Sequence, residues 1–212
     1  MRIKALSAVL CLLIMAICVP FVGASADSVD TTFPTVSGDF DGDGKTDIAQ
    51  FSNTASNNLF LNVLLSDGEK FKKSEWWSAN SGWNINSIKN RIVSGDFNGD
   101  GKDDICAFYD YGKGETRAFV WQSNGNGFSL DWNFWRQSSG FYANKLDNRI
   151  VSGDFNGDGK DDVCAFYDYG KGETRAFVWQ SQGSQFKLDW NYWYMKTGFS
   201  ANLITYSVTS GD

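Results

Sequence analysis

The sequence predicts an all-β protein of β-propeller type, with three four-stranded antiparallel blades and a cation loop joining the first two strands of each. Three observations carry this prediction. The nine-residue segment DFDGDGKTD at 39–47 recurs as DFNGDGKDD at 96–104 and again at 154–162. Residues 91–123 and 149–181 match position for position, except that Ile105 becomes Val163. No stretch shows sustained helical periodicity, whereas short β-branched and aromatic runs alternate with Gly- and Asn-rich turns.

Taken in order, the chain of 212 residues opens with Arg2 and Lys4 before an apolar run over 5–22, followed by Ala24-Ser25-Ala26. That order is the pattern of a secretory signal peptide with a small-residue cleavage site, so residues 1–26 are expected to be removed. Residues 27–212 then form one secreted domain that does not insert into a membrane. The formal charge of −6 disfavours nucleic acid, whose phosphates must be met by Lys and Arg. Within the domain the repeats run over about 33–90, 91–148 and 149–206. Residues 207–212 (SVTSGD) align with 149–154 and read as the start of a fourth unit. The second and third units align at an offset of 58. The first aligns with the second at 57 in its loop but at 58 from Trp77 onward, so one residue is missing between.

Each unit carries four strand signals. In the second, 91–97 leads into the loop and 105–109 leaves it; 116–122 follows a Lys-Gly-Glu turn, and 128–134 follows Asn-Gly-Asn-Gly. The run Arg117-Ala-Phe-Val-Trp121 fits a strand packed on both faces.

The loops carry the most specific chemistry. Oxygen-bearing side chains stand at the first, third, fifth and ninth positions, and Gly stands at the fourth and sixth. A hard cation such as Ca²⁺ takes six to eight oxygens, and a short loop surrounds it only where Gly lets the backbone turn back. The seventh residue, Lys45, Lys102 or Lys160, would contribute its carbonyl. Twelve of the 25 Asp and Glu residues fall in these three loops, a crowding that is unfavourable without a counter-ion. About three Ca²⁺ ions, one per loop, are expected. An EF-hand would need a carboxylate at position twelve and then a helix. Here Gln50, Ala107 and Ala165 stand there, and strands follow.

The V-S-G-D-F-N-G-D-G-K-D-D-I core resembles the FG-GAP or VCBS repeat. That repeat is the calcium-loop blade similar to those of integrin α-subunit propellers, many secreted bacterial proteins and some fungal lectins. The resemblance implies side-chain ligands at Asp39, Asp41, Asp43 and Asp47, at Asp96, Asn98, Asp100 and Asp104, and at Asp154, Asn156, Asp158 and Asp162. Where the family pattern has Gly-Ala-Pro after the second strand, this chain has Phe108-Tyr-Asp-Tyr111, so the resemblance does not extend to an integrin-like partner surface.

The chain has no His, which excludes Ser-His-Asp and Cys-His catalysis and His-containing zinc sites. Glu115 and Glu173 occupy the same repeat position, unlike the unequal carboxylates of a glycosidase. Cys106 and Cys164 are equivalent positions in neighbouring blades and are expected to be buried thiols, not a disulfide. Nine Trp include a repeated W-x4-G-aromatic motif: Trp77 with Trp83, Trp135 with Phe141, and Trp193 with Phe199. These residues either pack blade on blade or stack on sugar rings. The expected function is a secreted calcium-binding module for a glycan or a cell surface, without catalysis. The alternative is an ancillary or truncated part of a secreted hydrolase. Three blades do not close a ring of four to eight, so the chain is expected either to close by association, most simply of two copies, or to be a truncated product that stays an open three-blade stack.

Overall fold

In the computed structural model, residues 33–54 and 56–203 are described, all within one compact unit of the chain, Thr31–Asp212. The expected signal peptide and the start of a fourth unit lie outside the described residues. Twelve strands form three separate four-stranded antiparallel sheets, each in simple sequential order. Blade 1 is β1 (Thr35–Gly38), β2 (Asp47–Asn53), β3 (Leu59–Ser66) and β4 (Phe71–Ala79). Blade 2 is β5 (Ile92–Gly95), β6 (Asp104–Gly112), β7 (Glu115–Ser123) and β8 (Phe128–Gln137). Blade 3 is β9 (Ile150–Gly153), β10 (Asp162–Gly170), β11 (Glu173–Ser181) and β12 (Phe186–Met195). The all-β expectation holds, and in blade 2 each strand overlaps its signal, with β5 shorter than 91–97 and β6 running past Tyr109 to Gly112. The outer strands run longer than expected, to Gln137 in place of Phe134. One class of element goes unforeseen: 3-10 turns at Ile85–Ser87, Ala143–Leu146 and Ala201–Leu203. Among the described residues no helix is long and apolar enough to cross a membrane.

Residue parity explains the absence of a polar face on β7. Phe119 and Trp121 point into a core shared with blade 1, while Ala118 and Val120 point into a core shared with blade 3. All four are buried, so a single blade could not shield its own apolar surface from water. The knobs recur at each junction. Trp121 of blade 2 meets Phe51 of blade 1 at 4.9 Å between centroids, and Trp179 of blade 3 meets Phe108 of blade 2 at 4.6 Å. Below them Phe128 meets Phe40 at 5.7 Å and Phe186 meets Phe97 at 5.5 Å, edge to face as aromatic quadrupoles favour. Cys106 and Cys164 are buried free thiols, and burial pushes both thiols up, that of Cys164 to about 11.

Blades also join through backbone. The Asp103 amide donates to the Asp39 carbonyl at 2.9 Å, and the Asp103 carboxylate accepts the Asp39 amide at 2.8 Å. Asp161 makes the same reciprocal pair with Asp96, at 2.9 and 3.0 Å. This approach explains the Gly that ends each first strand. A Cβ on Gly38 would lie 2.5 Å from Asp103 Oδ2, and one on Gly95 would lie 2.6 Å from Asp161 Oδ2. Gly95→Ala should therefore destabilise the protein by about 1–3 kcal/mol through overpacking. In a double-mutant cycle with Asp161→Ala, chemical denaturation should show a coupling of at least about 0.5 kcal/mol. Additive losses would mean that the two residues do not meet.

Candidate metal centre

The first Asp of each loop organises the loop's backbone. Asp39 Oδ1 accepts the amides of Gly42 and Asp43 at 2.9 and 3.0 Å, and its Oδ2 accepts that of Gly44 at 2.7 Å. Asp96 holds Gly99, Asp100 and Gly101 in the same way, and Asp154 holds Gly157, Asp158 and Gly159. The two glycines in each loop have φ between 77° and 83°, a region that favours Gly. These amides, that of Gly159 foremost, hold the Asp154 carboxyl below the usual carboxylate range. In the first loop, carboxylate oxygens of Asp39, Asp41 and Asp43 all lie within 4.8 Å of one another. Asn98 and Asn156 take the place of Asp41 in the other two loops.

The ninth-position Asp lies at the loop's buried base. Asp47, Asp104 and Asp162 are each 0% exposed. Each Oδ1 accepts an amide at 2.8 Å from the last residue of the third strand: Ser66, Ser123 or Ser181. The second oxygen distinguishes the blades. Asp47 Oδ2 accepts the Phe40 amide at 3.2 Å, whereas Asp104 Oδ2 and Asp162 Oδ2 are buried without a hydrogen-bond partner. Burial pushes Asp104 up to about 8 and Asp162 up to about 6, and it raises Asp47 as well. The nearby acidic groups, Asp100 and Asp96 for Asp104 and Asp158 and Asp154 for Asp162, add to the rise.

An orphaned carboxylate oxygen in a dry site costs roughly 1–3 kcal/mol, and more when charged. A cation removes that cost, and a donor set of carboxylates, amides and carbonyls suits Ca²⁺, not a thiolate- or imidazole-seeking metal. The residues therefore fit the ion. Asp39, Asp41, Asp43 and Asp47 would hold it in blade 1, Asp96, Asn98, Asp100 and Asp104 in blade 2, and Asp154, Asn156, Asp158 and Asp162 in blade 3.

The lysines have a role the spacing did not disclose. Lys45 forms an ion pair with Asp43, Lys102 with Asp100 at 3.3 Å and Lys160 with Asp158 at 3.2 Å. The fifth-position carboxylate thus already has an ammonium partner, and the Lys45 hydrogen bond holds Asp43 below its ordinary range. The stems of Lys102 and Lys160 also cross the preceding loop. A Cβ on Gly42 would meet Lys102 Cγ at 3.0 Å, and one on Gly99 would meet Lys160 Cγ at 3.1 Å.

The W-x4-G-aromatic motif packs. Trp77 meets Trp83 at 5.6 Å, Trp135 meets Phe141 at 5.3 Å and Trp193 meets Phe199 at 5.2 Å, with Trp83 and Phe141 buried. Trp193 of blade 3 is nonetheless 36% exposed, and in blades 2 and 3 a different aromatic set reaches water. Trp132 is 53% and Tyr111 47% exposed, on either side of Phe119 in blade 2, and Trp190 and Tyr169 repeat them beside Phe177 in blade 3. The Arg117 guanidinium lies over the Tyr111 ring at 4.6 Å and pairs with Glu115 at 2.8 Å. Tyr111 also lines an open polar groove of about 280 Å³ with Asn84, Asn86, Arg91 and Asp110. The sequence signal for this set was Leu-Asp-Trp-Asn at 130–133 and 188–191, visible as a repeat but carrying no sign of exposure.

Sequential four-stranded blades with one acidic loop on each define a blade-repeat protein of the propeller-like class often used for binding. The chain belongs to the FG-GAP-like repeat family, which matches residues 39–107 and 96–165, each match running from one acidic loop to the strand beyond the next. Comparison with curated proteins gives no match.

The orphaned carboxylates have a consequence for pH. Folded Asp104 keeps a proton up to about pH 8 that the unfolded chain releases near the ordinary value of 3.8. The folded state therefore binds more protons over that interval, and stability falls as pH rises. Lowered groups such as Asp43 and Asp154 act with the opposite sign, but only below the ordinary carboxylate range. In chelator, the melting temperature should decline from pH 4.5 to pH 8.5, and Asp104→Asn should flatten the decline. A melting temperature that rises over this interval would contradict the assignment.

Proposed function

We propose that the chain is a secreted, non-catalytic binding module that holds Ca²⁺ in its three loops and takes a carbohydrate of a cell surface or matrix on its exposed Trp–Tyr pairs. The observation that carries this reading is the recurrence of Trp132 with Tyr111, and of Trp190 with Tyr169, as half-exposed aromatics flanked by Arg and Glu. Aromatic faces stack on the apolar face of a pyranose, and neighbouring charged and amide groups bond its hydroxyls. Two equivalent sites on one body also favour a repetitive ligand, since the second contact becomes intramolecular. The signal-peptide pattern over 1–26 supports export, and extracellular millimolar Ca²⁺ suits loops of this kind. Binding without catalysis is supported by the absence of His and by loop carboxylates that recur in register at the first, fifth and ninth positions of every loop.

Calorimetry should count about three Ca²⁺ ions, and excess EDTA should lower the melting temperature, because a ligand of the folded state stabilises it by mass action. Asp100→Ala and Asp158→Ala should each remove one ion and leave the others. A count below two, or a melting temperature indifferent to EDTA, would refute the loop assignment.

On a glycan array, the Ca²⁺-loaded protein should retain a defined class of glycans. Trp132→Ala or Trp190→Ala should weaken binding roughly 10- to 30-fold, as loss of an aromatic anchor does, and the double variant should abolish it. Both side chains are half exposed, so the melting temperature should hardly move. Retained binding in the double variant would refute the platform.

A further inference from the structure

Strands β7 and β11 have the same residues, but the outer strands beside them do not, and the two aromatic platforms differ in charge as a result. In blade 2 Arg117 of β7 stands directly opposite Arg136 of β8. Like charges so placed repel one another. One carboxylate serves both: Arg117 Nε and Nη2 donate to Glu115 Oε1 at 3.2 and 2.8 Å, and Arg136 Nη2 lies 3.3 Å from the same oxygen. These contacts, the Arg117 hydrogen bond foremost, hold the Glu115 carboxyl below its usual range. The cluster of two guanidiniums and one carboxylate therefore keeps an excess positive charge. That charge is accessible, because the Arg136 side chain is 47% exposed and its guanidinium has no other partner among the described residues.

Blade 3 resolves the same position differently. Tyr194 stands opposite Arg175, where blade 2 has the second arginine. Arg175 pairs one to one with Glu173 at 3.3 Å, and its guanidinium lies 4.8 Å from the centres of both the Tyr169 and Tyr194 rings. Its Nε is buried and has no hydrogen-bond partner. That cation is balanced and covered by rings. Blade 1 has no charge at these places, with Phe60 opposite Ser78 and Asn58 for the glutamate. The excess cation thus belongs to the blade 2 platform.

We propose that the blade 2 platform takes a carboxylated sugar of the uronate class, its carboxylate on Arg136 and its ring on the adjoining aromatic surface, while the blade 3 platform takes an uncharged sugar. This inference rests on the carbohydrate reading of the Trp–Tyr pairs and names the sugar. The guanidinium fork matches a planar carboxylate with two parallel hydrogen bonds, which a hydroxyl cannot return. Arg117 lies over the Tyr111 ring, and Tyr111 and Trp132 flank Phe119, so the cation and the stacking surface are contiguous. Beside Tyr111 the polar groove offers Asn84, Asn86 and Ser87 to sugar hydroxyls. Asp110, which also lines it, accepts the Gly112 amide at 2.7 Å and retains acceptor capacity for a hydroxyl. A polymer carrying acidic and neutral residues together would engage both platforms.

The test is NMR of the full chain in Ca²⁺, following the Trp indole and Arg Nε–H resonances. Titration with methyl glucuronide or methyl galacturonide should shift the Trp132 indole and Arg136 together. Affinity at blade 2 should exceed that for the uncharged methyl glucoside or galactoside roughly 5- to 10-fold, the scale of one charge-assisted hydrogen bond at a half-exposed site. At Trp190 the charged and uncharged sugars should not differ. Arg136→Tyr, which installs the residue of blade 3, should bring the charged sugar down to the level of its uncharged twin. Tyr194→Arg should create the preference in blade 3. Equal titration of Trp132 by charged and uncharged sugars, with Arg136 unmoved, would overturn this inference and leave the aromatic platforms standing. If no sugar moves any indole, both the platforms and this inference fall.

Discussion

One carboxylate buried at the same place in every blade ties the loop, the hairpin behind it and the junction in front. Asp104 is the last residue of the acidic loop and the first of β6. Its Oδ1 holds the amide of Ser123 at the end of β7, and the hydroxyl of that same serine reaches the Phe40 carbonyl of blade 1 at 2.6 Å. Asp162, Ser181 and Phe97 repeat the relay at the next junction. Burying a charge is costly, and a single amide does not compensate for it. The loop above the carboxylate therefore has to bring either a proton or a cation. Loop geometry and blade stacking thus depend on one group, and a cation held in the loop would also stabilise the stack.

Much of the fold was legible because the repeat is near exact. Once residues 91–123 and 149–181 were seen to coincide, one blade's strand signals served for two, and the buried parity of 117–121 declared a sheet packed on both faces. The loops were legible because ligand spacing is local. What stayed hidden depends on neighbours distant in the chain. Asp103 and Asp161 look like two more acidic loop residues, yet they clamp the preceding loop and leave no room for a Cβ on Gly38 or Gly95. Lys45, Lys102 and Lys160 were expected to serve through their carbonyls, and the spacing gave no sign that their ammonium groups pair with the fifth-position Asp. The 3-10 turns between blades are too short to show any period, and Ala143–Leu146 lacks the side-chain cap that Asn84 gives Ile85–Ser87.

Departures from the repeat prove as informative as the repeat itself. The first unit differs from the others chiefly on the face turned away from blade 2. Thr46 replaces the clamping Asp, and Asn62 and Gln50 replace an apolar pair. Its inward face keeps Phe51 and Leu61 fully buried. The inward face also changes, with Ala49, Leu59 and Leu61 where blade 2 has Cys106, Thr116 and Ala118, but every one of these residues except Thr116 is apolar, and the face stays a packing surface.

The single-residue offset between the first and second units also has a physical location. In blade 1 the β3–β4 register moves from Leu61–Trp77 to Asn62–Glu75, so one residue, Trp76, is bulged. In blade 2 the pairs Ala118–Trp135 and Val120–Asp131 leave residues 132–134 opposite Phe119 alone. The additional residue widens the bulge, and bulges re-aim side chains. Trp132 turns toward the blade 1 side, where it meets Trp83 at 5.4 Å, while Phe134 turns to the opposite side and packs on Phe186 at 4.7 Å. In blade 1 Glu75 stands in place of Trp132, and no aromatic platform forms. One inserted residue thus separates blade 1, which has Glu75 at this place, from blades 2 and 3, which present a half-exposed indole there.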